Sequence, residues 1–120
     1  MAALTTAVVL LVAILHINFM ILEMFLWTRP LGLKTFGMSR QKAEHSAVLA
    51  ASQGLYNGFL AAGLIIALLL GNGGYPMLLF LLGCIVVAGI YGGLTAKRTI
   101  WWLQGFPASI ALVLVLLGHG

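Results

Sequence analysis

Long apolar stretches separated by short polar ones recur four times along the chain. The first runs from Ala3 to Trp27, about 25 residues, enough to cross a bilayer with some tilt. Thr28 to His45 is polar, with Pro30, Gly32 and Gly37 as breakers. Within it Leu31, Leu33, Phe36 and Met38 alternate with Arg29, Lys34 and Arg40, which suits a segment lying in the headgroup region. Ser39 is placed to cap a helix that runs through Arg40-Gln41-Lys42-Ala43-Glu44 into the second span, Ser46 to Leu70. Gly71-Asn72-Gly73-Gly74-Tyr75-Pro76 predicts a tight, uncharged turn. Met77 to Thr95 forms the third span, and Ala96-Lys97-Arg98-Thr99 a short basic loop. Pro107 interrupts the fourth. A helix starting there leaves about 11 apolar residues before Gly118, too few to cross. The span therefore begins near Trp101, with a kink or a first-turn proline. These elements predict an all-α fold, an integral membrane four-helix bundle. It forms one membrane domain over residues 1–120, with spans near 3–27, 46–70, 77–95 and 101–117. The halves share no motif, so an inverted repeat is not supported.

Composition agrees with a bilayer as the solvent. Of 120 residues 62% are hydrophobic and 7% charged, too little polar surface for a soluble domain. Six Lys and Arg face two acids, a formal net charge of +4. The aromatic residues lie in apolar runs and no basic face carries them, so no nucleic-acid partner is expected. All six basic residues, Arg29, Lys34, Arg40, Lys42, Lys97 and Arg98, fall in the first and third loops. The positive-inside rule makes loops 28–45 and 96–100 cytoplasmic and puts both termini outside, in a bacterial inner membrane. Trp27, Trp101 and Trp102 flank those loops as interfacial anchors. The apolar N-terminus lacks a basic n-region and a clear cleavage site, so the first span is expected to stay in the mature protein. Cys84 is the single cysteine, which rules out an internal disulfide and fits a small packing residue.

Inside these spans sit polar residues that cost free energy in hydrocarbon and therefore need a reason. Glu23 follows His16 by two turns and is rotated from it by only about 20°. Val12, His16, Met20, Glu23 and Trp27 thus form one stripe, whereas Asn18 points roughly the other way, toward another helix or a second subunit. In the second span Ser46, Ala50, Gln53, Asn57 and Ala61 share a face, with Tyr56 beside Gln53 and Asn57. Cys84, Ala88, Tyr91 and Thr95 align in the third span, and Gln104, Ala108 and Ala111 in the fourth. Placed by the topology above, these polar groups reach compatible depths and can converge on one cavity. His16, Glu23, Gln53, Tyr56, Asn57, Tyr91, Thr95 and Gln104 are the candidates for a ligand or proton pathway. Histidine titrates near physiological pH, so a His–Glu stripe suits proton transfer. The alternative is a hydrogen-bonded core that holds helices together, at about 0.6–2 kcal/mol per bond.

Small residues at four-residue spacing, Gly54, Gly58 and Ala62, then Gly89 and Gly93, permit close helix contact. Packing within the chain and homo-oligomerisation both use such faces. Phosphate-binding glycine loops, Gly-x-Ser-x-Gly and His-Glu-x-x-His are missing from the sequence, so no catalytic residue is assigned and no cofactor is expected. A metal would have to draw on His16 and Glu23, with His45 and His119 at the membrane surfaces, which rarely suffices. No metal site is expected.

Several blocks resemble one family. They are Leu22-Glu23-Met24-Phe25-Leu26-Trp27, then Pro30, Lys34 and Phe36-Gly37, then Gln53-Gly54-Leu55-Tyr56-Asn57-Gly58-Phe59-Leu60-Ala61-Ala62-Gly63-Leu64. Val87-Ala88-Gly89-Ile90-Tyr91-Gly92-Gly93 and Gln104 with Pro107-Ala108 complete the set. The chain is similar over nearly its whole length to the bacterial domain-of-unknown-function family 1304, small multi-pass membrane proteins. That resemblance implies a four-helix membrane fold and brings no catalytic residue with it. Three functions remain open from the residues. They are transport or permeation of a small solute or ion, possible with proton coupling through Glu23 and His16; a membrane enzyme or lipophilic-ligand protein; and a structural subunit. A chain this short makes a poor alternating-access machine alone, so transport would require a homo-oligomer.

Overall fold

Helix ends in this chain are set by local chemistry that can be read residue by residue. The computed structural model describes residues 2–119, and of His119 the backbone alone. Helix α1 (Ala3–Met24) closes when the N–H groups of Phe25 and Leu26 both donate to the Ile21 carbonyl, at 3.0 and 3.2 Å. The chain then doubles back so tightly that a methyl group on Gly32 would overlap the Leu26 carbonyl. Helix α2 (Pro30–Phe36) starts on a proline, which has no N–H to leave unpaired in the first turn. It ends at Gly37, whose φ of 62° is the left-handed conformation glycine adopts without strain. Gly37 donates to Lys34 and Met38 to Leu33, the paired bonds of a Schellman cap. The segment expected to lie among headgroups is thus about two turns of helix, with the Trp27 and Phe36 rings 4.8 Å apart.

Helix α3 (Arg40–Leu69) begins where the Lys42 N–H donates to the Ser39 hydroxyl at 3.1 Å, the cap read from the sequence. Ser39→Ala is expected to cost about 1 kcal/mol, measured as a lower unfolding midpoint in detergent micelles. At 30 residues α3 is about 45 Å long, so its first polar turns stand beyond a hydrocarbon core of about 30 Å. Gly71, again with φ 62°, opens a tight turn over Gly71–Gly74, and Pro76 sits in the first turn of helix α4 (Tyr75–Thr95).

Before helix α5 (Phe106–His119) comes a widened, π-type turn over Trp101–Gly105, in which Phe106 N–H reaches the Trp101 carbonyl. Pro107 explains it. Lacking an N–H, proline leaves the ordinary four-residue ladder one bond short, and the wide turn lets the chain continue as a helix. Pro107 falls in the first turn of α5, directly after this wide turn.

The chain divides into two compact units. One comprises Met1–Leu15 with Ala61–Gly120, the other His16–Leu60. In the first, Leu78, Leu82, Ile85, Gly89 and Gly93 are the buried stripe of α4, which packs on the π turn and α5. Contact there is backbone to backbone: a Cβ on Gly89 would lie 2.5 Å from both Cα and N of Gly105. The Trp101 indole N–H donates to the Ile90 carbonyl at 3.2 Å, and Gly93 leaves room for that ring. Ala3–Met24, Arg40–Leu69, Gly71–Thr95 and Trp101–Gly118 are each long and apolar enough to cross a membrane.

Candidate functional site

The polar centre is in the His16–Leu60 unit, where the end of α1 runs against the middle of α3. Two glycines one turn apart make the approach possible. A Cβ on Gly54 would meet Met24 Cγ at 2.7 Å and Glu23 Cβ at 3.0 Å, and one on Gly58 would meet Met20 Sδ at 2.6 Å. Met20 therefore lies over Gly58 and Glu23 beside Gly54, so the helices cross antiparallel in this register. Nearer the basic loop the Trp27 indole donates to the Ser46 hydroxyl at 3.0 Å, and Ser46 in turn donates to the Lys42 carbonyl at 2.8 Å.

Between those two fixed points, Asn57 Nδ2 donates to Glu23 Oε1 at 2.5 Å. Glu23 is half-buried, as is Asn57. A carboxyl group inside an apolar helix is thus held by an amide from a helix 34 positions away in sequence. His16, two turns before Glu23, is fully buried, with its ring edge against Phe19 at 5.3 Å between centroids.

Two further candidates, Gln53 and Tyr56, lie in the same unit. Gln53 is exposed and makes no hydrogen bond among the described residues. Tyr56 is exposed, with its ring edge-on to Phe59. Tyr91, Thr95 and Gln104 belong to the other unit. There Tyr91 is 68% exposed, the Thr95 hydroxyl is spent on the Tyr91 carbonyl of its own helix, and Gln104 lies in the π turn. Within that unit lie two open apolar grooves. One, of about 700 Å³, is lined along α4 by Leu79, Phe80, Gly83, Cys84, Val87 and Tyr91, and by Ala88. Among the described residues, no three His, Cys, Asp or Glu side chains lie together as a metal would need. The side chain of His119 lies outside the described residues.

The glycine faces, which suit packing within the chain as well as pairing of copies, make close contacts inside each unit. Gly54 and Gly58 receive Met20, Glu23 and Met24, Gly89 meets Gly105, and Gly93 meets the Trp101 ring. Ala62 alone of that set is exposed. The stripe residue Met20 is the side chain whose role went unread. Its signal was a flexible apolar side chain at the depth of a small-x-x-x-small track.

Comparison with known proteins now bears on this arrangement. Residues 10–116 match the model of the family described as "Protein of unknown function (DUF1304)". The chain belongs to the DUF1304 family. A relative from Lactococcus lactis subsp. lactis (strain IL1403), described as "Uncharacterized protein YpaA", is 34% identical over 115 residues, covering 94% of this chain and 97% of its own. No solved structure matches the chain. Both residues of the Glu23–Asn57 pair lie within the stretch that defines the DUF1304 match.

Proposed function

We propose that this DUF1304 protein is a small membrane permeation protein, in which a solute or ion moves with a proton carried at Glu23. One observation carries the proposal: the Asn57 amide donates to the Glu23 carboxyl between two helices that are each long and apolar enough to cross a membrane. If holding two helices together were the only requirement, glutamine would serve at position 23. Its side-chain oxygen accepts the same bond, at a far smaller desolvation cost than an ionisable group. Keeping a carboxyl there is explained by a group that must gain and lose a proton. His16, buried on the same helix two turns away, is the natural second station. By the positive-inside rule this pair lies toward the cytoplasmic loop 28–45.

Proton movement is the probe, because it can be followed before the co-transported species is known. In proteoliposomes enclosing a pH indicator, under an imposed potassium diffusion potential, the wild type is expected to pass protons faster than empty vesicles. Glu23→Gln is expected to fall to the empty-vesicle rate while keeping its helical circular dichroism. Wild-type vesicles indistinguishable from empty ones, or an unimpaired Glu23→Gln, would overturn the proposal. A second function is favoured by the groove along α4, whose apolar lining suits a lipophilic chain. In that case a lipid or lipophilic molecule stays bound in native mass spectra, and Ala88→Trp, which fills the groove, releases it.

A further inference from the structure

Helix α1 has an outer face that no other described residue covers. Leu4, Ala7, Leu11, Ile14, Asn18, Ile21 and, just past the helix end, Phe25 are all exposed, whereas Val9, Val12, Ala13 and His16 are buried. The exposed set advances by three, four, three, four, three and four residues. Steps of three and four residues keep these positions on one face of the helix, beside which Ala3 and Leu10 are also exposed.

Apolar members of such a stripe need no protein partner, since lipid tails cover them as well as another helix would. Asn18 is different. Its amide carries two donors and an acceptor, is exposed about 9 Å from the end of α1, and makes no hydrogen bond among the described residues. Lipid tails offer it nothing. An asparagine at a single seam position is also the residue that fixes register in paired helices, because it bonds best with a copy of itself.

We propose that two copies of this chain pair in the membrane through α1, with the Asn18 amides bonded to each other across a two-fold axis. A second copy fits better than an unrelated protein for a geometric reason. All copies insert in the same orientation, so two α1 helices meet in parallel and every residue meets itself at equal depth. The partner's amide is then present at the required depth by construction. This pairing holds whether or not Glu23 carries a proton, since that carboxyl bonds to Asn57 within the chain.

The test is cysteine cross-linking of the full chain in liposomes over a range of protein-to-lipid ratios. The background is Cys84→Ser, which removes the single native thiol. With copper phenanthroline and air as oxidant, Ile14→Cys and Ile21→Cys are expected to give disulfide dimers, and Phe80→Cys on α4 is not. Adding Asn18→Leu is expected to raise the protein-to-lipid ratio at half-dimerisation about tenfold, the effect of losing an interhelical amide bond in lipid. Asn18→Gln, which keeps the amide, is expected to retain dimers. No cross-link at any ratio, equal cross-linking through Phe80→Cys, or no effect of Asn18→Leu would overturn the proposal. So would oxidation in native membranes that links α1 chiefly to a different polypeptide.

Discussion

Gly89→Ala is expected to destabilise the protein by about 2 kcal/mol, while Gly83→Ala on the same helix is expected to leave it unchanged or slightly more stable. The chemical change is identical in the two variants and only the surroundings differ. At Gly89 the new methyl would sit 2.5 Å from Gly105 Cα and N. Those are backbone atoms of the π turn and cannot swing aside as a side chain could, so α4 and the turn must separate. Their separation strains the Trp101 indole bond to the Ile90 carbonyl, which depends on the same close approach. At Gly83 a methyl meets nothing within 4 Å, and alanine is the better helix former by up to about 1 kcal/mol. Unfolding by a denaturing detergent in mixed micelles, followed by tryptophan fluorescence, measures both. Equal midpoints for the two variants would show that α4 and the π turn do not touch as described.

Asn57→Leu is expected to cost about 1–2 kcal/mol, more than Glu23→Gln, which is expected to stay within about 0.5 kcal/mol of the wild type. Leucine removes the donor and leaves a half-buried carboxyl oxygen without it. Glutamine at 23 keeps an oxygen where Asn57 Nδ2 can donate. The double variant Glu23→Leu with Asn57→Leu is expected to recover part of the loss, since both polar groups then leave the helices together. A coupling energy near zero in this cycle, from the same micelle unfolding, would mean that the two side chains do not interact.

The helices were legible because hydrocarbon imposes a simple rule, about 20 apolar residues per crossing. Local signals sharpened the ends: Ser39 is the cap of α3, and Gly37 and Gly71 take left-handed conformations just after the ends of α2 and α3. Less could be read about the middle of the chain. Composition marked residues 28–45 as interfacial, but Pro30 and Gly37 work as a helix start and a helix stop, so they bound α2 rather than break it. The trouble at Pro107 was visible, and its solution as a five-residue wide turn was not, because missing N–H groups can be accommodated in several ways.

The polar positions were legible one by one, and their pairing was not. Helical spacing told which side of its own helix each residue faces, and it placed Glu23 and His16 on one stripe. Which neighbour that stripe meets depends on the antiparallel register of α1 and α3, fixed by Gly54 and Gly58 against Met20 and Met24. One turn of slip would have offered Gln53 to Glu23 in place of Asn57. Gln53 and Tyr91 instead face outward. Gly54, Gly58, Gly89 and Gly93 show the same gap between composition and geometry. A close-contact face is recognisable in sequence, whereas the helix that fills it is known only from the fold.

The central claim is that Glu23 is a proton-binding group and not merely half of a clasp. Infrared difference spectroscopy of the protein in lipid nanodiscs, recorded across a pH titration, reads it most directly. A carboxyl C=O band is expected to appear as pH falls, to vanish in Glu23→Gln and to shift in Asn57→Leu, which removes its hydrogen-bond donor. Wild-type and Glu23→Gln spectra that superimpose at every pH would contradict the account.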